Sequence, residues 1–502
     1  MTTEELDAAR FAQAFNAFLE RFRDALPEPK ATIRRLAMEH LGADPTELPT
    51  LSENFDASEH ANLQIALDAL LEDVEEWRLV GLPGELTQFH AFSLTSILGG
   101  RFHGPSEPVA PEFVNVPIDA DATLPCIRIG IYLLTFADSP LVVMVSFGEQ
   151  HGPRAGLHME VIAADAQRAQ AFVARVRELM HERNVFRGKV LSFAFSEWGS
   201  FGVTFHELPS IGRDDIVLPA EDLAAIERHT IDVSRHADAL LEAGRHLKRG
   251  LLLFGPPGTG KTLSVMYLCG QMPGRTTLLL SGPGFGALGQ AAAIARSLQP
   301  SMVVLEDVDL VAMERTMPGA GTNPLLFQLL NEMDGLADDA DVVFVLTTNR
   351  VELLEPALAA RPGRIDQAVE IRLPDATCRR RLLDLYLRDV NHEIDDFASI
   401  VEQTEGVTAA FVKELVRRAV LTAAVARAGD GDGTTLRLTD DHLQAALDDL
   451  LHHSAPVLRS SLGANPGAVG DAHVVAPAPG MHSSSGWFAF ERLSSYVDED
   501  DL

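Results

Sequence analysis

Between residues 207 and 375 the chain repeats one pattern: a short, almost unbroken apolar run, then a longer stretch with room for a helix. The runs fall at Gly250–Phe254, Thr276–Ser281, Met302–Leu305, Val342–Thr347 and Gln367–Ile371. Continuous rather than alternating apolar residues suit strands buried on both faces. The spacing therefore predicts a parallel sheet with crossover helices. Residues 376–453 follow helical periodicity, broken by a loop at Gly429-Asp-Gly-Asp-Gly-Thr434. Upstream the character differs. Ile127–Phe136 and Leu141–Phe147 read as strands around a turn at Asp138-Ser-Pro140, Met159–Ala163 and Lys189–Phe195 as further strands, and Ala166–Arg183 as an amphipathic helix. In the first hundred residues Phe11, Phe15, Phe18 and Phe22 share one helix face. A second helix is expected from about Glu59 to Trp77, ending before Gly81-Leu-Pro-Gly84. The expected organisation is a helical region over 1–110, an α+β domain over 111–206, an α/β core over 207–375, a helical lid over 376–453, and a linker with an acidic tail over 454–502.

Charge narrows the partners. Lys and Arg number 41 against 72 Asp and Glu, a net charge of −31. Nucleic acid and anionic membrane both attract cations, so neither is the expected partner. The most apolar stretch, Leu124–Phe147, holds Arg128, Asp138 and Pro140 and reads as sheet core rather than a span. The start, Met-Thr-Thr-Glu-Glu, lacks the plan of a signal peptide. Cys126, Cys269 and Cys378 are too scattered for a disulfide framework or a zinc knuckle. The expectation is a soluble, cytoplasmic chain.

Against this background one segment carries chemistry. The apolar Leu251-Leu-Leu-Phe254 runs into Gly255, Pro256, Pro257, Gly258, Thr259, Gly260, Lys261 and Thr262, with Leu263 continuing into a helix. Glycines let backbone N–H groups converge on a phosphate, and the helix N-terminus adds its dipole. Lys261 supplies charge to the β- and γ-phosphates, and Thr262 a hydroxyl to Mg²⁺. ATP and Mg²⁺ are the expected ligands. A second apolar strand ends in acid, Met302-Val-Val-Leu-Glu306-Asp307-Val-Asp309. Its register puts Glu306 in the metal position and Asp307 in the position that polarises the attacking water. This order is the reverse of the usual Asp-then-Glu, which predicts real but slow turnover. Asn349, ending Val345-Leu-Thr-Thr-Asn349-Arg350, is placed to orient water. Arg361 and Arg364, on a Pro-Gly turn, suit arginine fingers reaching a neighbouring subunit's γ-phosphate.

Together and in this order, these segments resemble the AAA branch of the AAA+ ATPases. Phe327-Gln-Leu-Leu-Asn-Glu-Met-Asp-Gly335 and Leu354-Glu-Pro-Ala-Leu358 match that branch between the acidic motif and the arginines, and Thr404-Glu-Gly-Val-Thr-Ala-Ala410 resembles its lid segment, with Ala409 where glycine is usual. The resemblance covers roughly residues 210–450. It implies a P-loop fold with a helical lid, a homo-hexameric ring with shared sites, and work on a protein client. The Arg-Pro-Gly-Arg and Met-Asp-Gly segments resemble the FtsH and valosin-containing types; the Leu-Glu-Asp-Val-Asp run resembles the mitochondrial Rieske-protein translocase. No His-Glu-x-x-His occurs, so an FtsH-like protease is not expected.

The expected function is ATP-dependent protein remodelling or unfolding by a single ring, since the nucleotide motif occurs once. The alternative is a nucleotide-controlled assembly scaffold or sensor with slow turnover. Phe285-Gly286, after the second core strand, is the sole candidate for a substrate-gripping loop, and simple packing is the competing expectation for it.

Overall fold

A computed structural model describes residues 14–15, 32–83, 93–99, 107–148, 156–195, 201–309, 324–335, 337, 339–354, 365–430 and 436–453. Of the phenylalanine stripe only Phe15 falls among them. The chain divides into two compact units, Met1–Val185 with Trp198–Ser200, and Phe186–Glu197 with Phe201–Leu502.

The first unit is built on an antiparallel sheet. Its elements are α1 (Ile33–Leu41), β1 (Thr50–Phe55), α2 (His60–Glu72), β2 (Trp77–Val80), α3 (Leu94–Leu98), β3 (Glu112–Pro117), β4 (Thr123–Phe136), β5 (Ser139–Gly148), β6 (Gly156–Ile162) and α4 (Ala166–Glu182). The strand order is β1-β6-β5-β4-β2, with β3 also paired to β4. Alternate residues of the central strands feed two cores. Val143 and Val145 pack under α2 and α4, while Val142 and Met144 pack with α1 and α3.

The expected helical region over 1–110 is corrected here, because Thr50–Phe55 and Trp77–Val80 are strands paired with β6 and β4. In β1 the inward face reads Leu51, Glu53, Phe55. The acid hides the alternation, and the fold tolerates it by pairing Glu53 with Arg177 of α4. Likewise α2 stops at Glu72, and Trp77 opens a strand rather than closing the helix.

The second unit contains β7 (Val190–Phe195), β8 (Phe201–His206), α5 (Ala220–Glu227), α6 (Ala237–Glu242), β9 (Arg249–Phe254), α7 (Lys261–Gln271), β10 (Thr276–Ser281), α8 (Leu288–Ser297), β11 (Ser301–Glu306), α9 (Pro324–Asp334), β12 (Val342–Thr348) and β13 (Gln367–Glu370). Its sheet runs β13-β9-β12-β11-β10-β7-β8. The five strands foreseen in 207–375 are present and mutually parallel. The mixed α/β, P-loop fold is thus the one expected.

The placement of β7 and β8 is a second correction. They extend the parallel sheet, β7 alongside β10 with Thr277 opposite Val190, instead of completing the α+β domain of 111–206. An apolar strand's sequence does not specify which sheet it joins. At the opposite end of these strands Arg275 is a staple: 2% exposed, it donates to the Ser301 carbonyl and to both carboxylate oxygens of Asp341.

Helices α10 (Ala376–Tyr386), α11 (Phe397–Gln403), α12 (Ala409–Asp430) and α13 (Asp440–Asp448) close around their own core of Leu383, Phe411, Leu415 and Leu447. This is the expected helical bundle after the sheet.

Candidate functional site

The phosphate loop leaves the C-terminal end of β9, the strand between β12 and β13. Gly255 has φ +144°, and a Cβ there would lie 2.2 Å from the Ile371 carbonyl oxygen, so only glycine fits. Gly258, at φ +76°, touches the lid: its carbonyl accepts from the Ala410 N–H at 3.0 Å, and a Cβ would come within 3.1 Å of Ala410 Cβ. The first turn of α12 therefore rests directly on the loop. Thr259 Oγ1 donates to the Pro256 carbonyl at 2.9 Å, tightening the turn. Gly260 caps α7, whose first turn presents Lys261 with half-buried Thr262 and Leu263 beside it.

Lys261 is buried. Its ammonium donates to the carbonyls of Gly255 at 2.9 Å and Pro256 at 2.8 Å. Burial pulls its pKa down to about 8, opposed by the carboxylates of Asp307, Asp309 and Glu306. A cation held on the loop's own carbonyls, at a helix N-terminus, offers its charge to an arriving polyphosphate.

The acids come from the neighbouring strands. Glu306 ends β11, 3% exposed, opposite Ser281 of β10. At Asp307 the backbone turns to φ +53°, a left-handed conformation that Asp tolerates better than most residues. That kink is held by an N–H donated to Thr347 Oγ1 at 3.0 Å. Asn349 Nδ2 donates to Asp307 Oδ1 at 3.1 Å. Asp309, also buried, accepts from Thr348 Oγ1 at 2.8 Å and from the Asn349 N–H at 3.1 Å. Burial raises the Asp307 pKa and the Asp309 charge adds to the rise, against Lys261 and the Asn349 hydrogen bond.

Lys261, Glu306, Asp307 and Asn349, which the sequence places up to 88 positions apart (349 − 261), thus meet at the C-terminal ends of adjacent parallel strands. That edge of an open α/β sheet is where ligands bind. The donor set suits Mg²⁺: Thr262 and Glu306 both offer hard oxygen. Asn349 was expected to orient water, and its amide lies on the carboxylate that would polarise that water. Arg361 and Arg364 lie outside the described residues. Thr347 and Thr348 join the site without having been singled out from the sequence, and Asp309, which there only set the register of the acid pair, joins it too. Their signal was the Thr-Thr pair preceding Asn349 and an acid two places beyond Asp307.

Phe285 is resolved in favour of packing. It is 2% exposed, in a 3₁₀ turn over Gly282–Ala287. The same turn presses on β7, where a Cβ at Gly284 would lie 2.6 Å from the Phe193 carbonyl oxygen. Among the described residues no group of His, Cys, Asp and Glu is arranged to hold a metal by three or more ligands, and no helix is long and apolar enough to cross a membrane.

Residues 251–373, from within β9 to just past β13, match the family described as ATPase family associated with various cellular activities (AAA). This chain carries an AAA ATPase core. The loop, both acids and Asn349 all lie inside the matched segment. Similar proteins include the chloroplastic ATP-dependent zinc metalloprotease FTSH 1 of Oryza sativa subsp. japonica, 29% identical over 298 residues, 54% of this chain and 43% of that protein. The ATP-dependent zinc metalloprotease YME1L of Drosophila melanogaster is 30% identical over 285 residues, 53% of this chain and 37% of its own length. FtsH 3 of Synechocystis sp. is 34% identical over 223 residues, 40% and 36% respectively. The AAA core is of the FtsH type, and the chain spans less than half the length of these relatives. The expectation of an ATP-hydrolysing enzyme agrees with the family.

Proposed function

We propose that the chain is an ATP-driven machine that remodels protein clients as a homo-oligomeric ring in the cytoplasm. The observation that carries this reading is the convergence of Lys261, Glu306, Asp307 and Asn349 on one sheet edge. In it, the Gly255–Thr262 loop and the α7 N-terminus hold the phosphates, and Lys261 neutralises charge that builds on them. Thr262 and Glu306 would hold Mg²⁺, which would supply positive charge against the phosphates when bound. Asp307, aimed by Asn349, polarises a water toward the γ-phosphorus. The new P–O bond forms from that water as the bond to the β-phosphate oxygen breaks, giving ADP and phosphate.

Arg361 and Arg364 of a neighbouring copy complete each site in this proposal. Mixing Arg361→Ala with wild type tests it: turnover should fall more steeply than the fraction of wild type, because each variant subunit disables its neighbour. Proportional dilution would overturn the shared site. The relatives are named zinc metalloproteases; this sequence holds no His-Glu-x-x-His, and the reading concerns the ATPase core alone.

Burial of Phe285 favours a second reading, a nucleotide-controlled assembly switch. One hydrolysis per assembly cycle supports the switch, and sustained turnover by the assembled ring supports the machine.

A further inference from the structure

The buried carboxylate of Asp309 is not needed to close the sheet. Strands β11 and β12 are already paired in register through Leu305 and Leu346. It lies beyond the last paired residue and spends its hydrogen-bonding capacity on the turn that follows β12. One oxygen, Oδ1, accepts both the Thr348 hydroxyl at 2.8 Å and the Asn349 N–H at 3.1 Å. The Thr348 hydroxyl, its proton given to Asp309, accepts the Arg350 N–H at 3.0 Å. Three consecutive residues of the turn are thereby fixed to one acid. The middle one, Asn349, sends its side-chain amide to Asp307 Oδ1 at 3.1 Å. On the other side Thr347 Oγ1 holds the Asp307 N–H at 3.0 Å, at the one residue of the site with a left-handed, non-glycine backbone.

We propose that Asp309 is a positioning residue for hydrolysis: acting through the Thr348–Asn349 turn, it holds the Asn349 amide on Asp307 and so fixes the carboxylate that faces the attacking water. This rests on the ATPase reading of the same site. A carboxylate held at both its backbone and its side chain spends little of the reaction barrier on orientation. The inverted acid pair increases the need for it. Asp is one methylene shorter than the Glu usual at this position, so its reach cannot be adjusted by side-chain rotation to the same degree. Orientation has to come from its neighbours. The phosphate loop meets this turn through main chain, the Gly255 N–H donating to the Thr348 carbonyl at 3.3 Å, while the Asp309 side chain bonds only to the turn and reaches Lys261 through its charge alone, so nucleotide binding should depend only weakly on Asp309.

The test uses the full chain, with ATP turnover and ATP affinity measured separately. Asp309→Ala should lower kcat by about 10- to 100-fold, the scale of a misplaced reacting group, with ATP affinity unchanged within about threefold, since no phosphate contact is lost. Asp309→Asn, which keeps an acceptor oxygen, should recover most of that loss, and Thr348→Ser should be near wild type where Thr348→Val is not. The double variant Asp309→Ala/Asn349→Ala should be little slower than Asn349→Ala alone, because Asp309 acts through Asn349. Multiplicative losses in the double variant, or equal falls in affinity and kcat, would overturn the inference and leave Asp309 a structural acid. Wild-type turnover reports separately on the ATPase reading. A wild type that binds ATP but never hydrolyses it overturns that reading, whatever the variants do.

Discussion

In the first unit His60, Asn62, Gln64 and Glu160 are buried, and each serves main chain. His60 Nε2 donates to the Ile127 carbonyl, Gln64 Oε1 accepts the Ile127 N–H, Asn62 Oδ1 accepts the Val185 N–H, and Glu160 accepts the Leu94 N–H at the start of α3. In the second unit the polar side chains at the sheet edge also serve one another: half-buried Asn349 holds half-buried Asp307, buried Thr348 holds buried Asp309, and Lys261 feels all three acids. Both units bury polar groups, Asn62 at 0% exposed in the first and Asp309 at 3% in the second. Burial therefore does not mark a site. What marks it is ionisable groups of opposite sign gathered at one end of parallel strands, where their remaining partner is a ligand.

The sharpest way to break this comparison is Asp307→Asn. Asparagine keeps the shape and an oxygen for Asn349, so ATP binding should persist while turnover falls by about 10²- to 10⁴-fold, the span attributed to general acid–base groups. Normal turnover would mean that the acid pair had been read in the wrong register. Next comes Phe285→Ala. If the ring is packing, the cost is stability, about 3–5 kcal/mol for a buried Phe, seen as a lower denaturation midpoint. A variant as stable as wild type but deficient on protein clients would restore the gripping role.

Lys261→Ala should weaken ATP binding by about 10- to 100-fold, corresponding to the 1.5–3 kcal/mol of a charged hydrogen bond. The pH dependence sharpens it. Lys261 has a pKa of about 8, below its ordinary 10.5, so it is charged at neutral pH and loses its proton as pH rises through about 8. A bound polyphosphate favours the charged form. Affinity should therefore fall above about pH 8 and binding should take up protons there. Isothermal titration in buffers of different ionisation enthalpy checks both, and Lys261→Arg, cationic throughout, should bind without that pH dependence.

Much of the second unit was legible because its signals are local. A glycine-rich turn between an apolar strand and a helix has few other uses: a Cβ at Gly255 would lie 2.2 Å from the Ile371 carbonyl oxygen, and Gly258 needs a backbone of φ +76° that other residues rarely adopt. The central parallel strands were legible for the same reason: buried on both faces, they read as apolar runs with polar residues only at their ends. What escaped was non-local. Glu53 masked the alternation of β1, since its partner Arg177 lies 124 residues away. The strand at Val190–Phe195 was visible, its attachment to β10 was not. Asp309 read as ordinary because its importance depends on a threonine 39 positions later.

The smallest effect separates the units from the first unit's side. His60 is 2% exposed, stacked 4.6 Å from Phe147, and its ring is kept neutral because burial lowers its pKa below 6.5. In the unfolded chain the same imidazole titrates near 6.5, so acid protonates the unfolded state first. Its contribution is complete above that pH and is lost as pH falls below it, at up to about 1.4 kcal/mol per pH unit until the folded imidazole also protonates. Urea unfolding of the full chain at about pH 7 and about pH 5.5 should show this loss, and His60→Gln, which keeps a donor for Ile127 without a titrating ring, should show less of it. ATP affinity at the same two values should be unaffected by that substitution, because His60 belongs to the first compact unit and the phosphate loop to the second. If His60→Gln changed ATP affinity, the division into a unit that buries polar groups for structure and one that buries them for chemistry would fail at this residue.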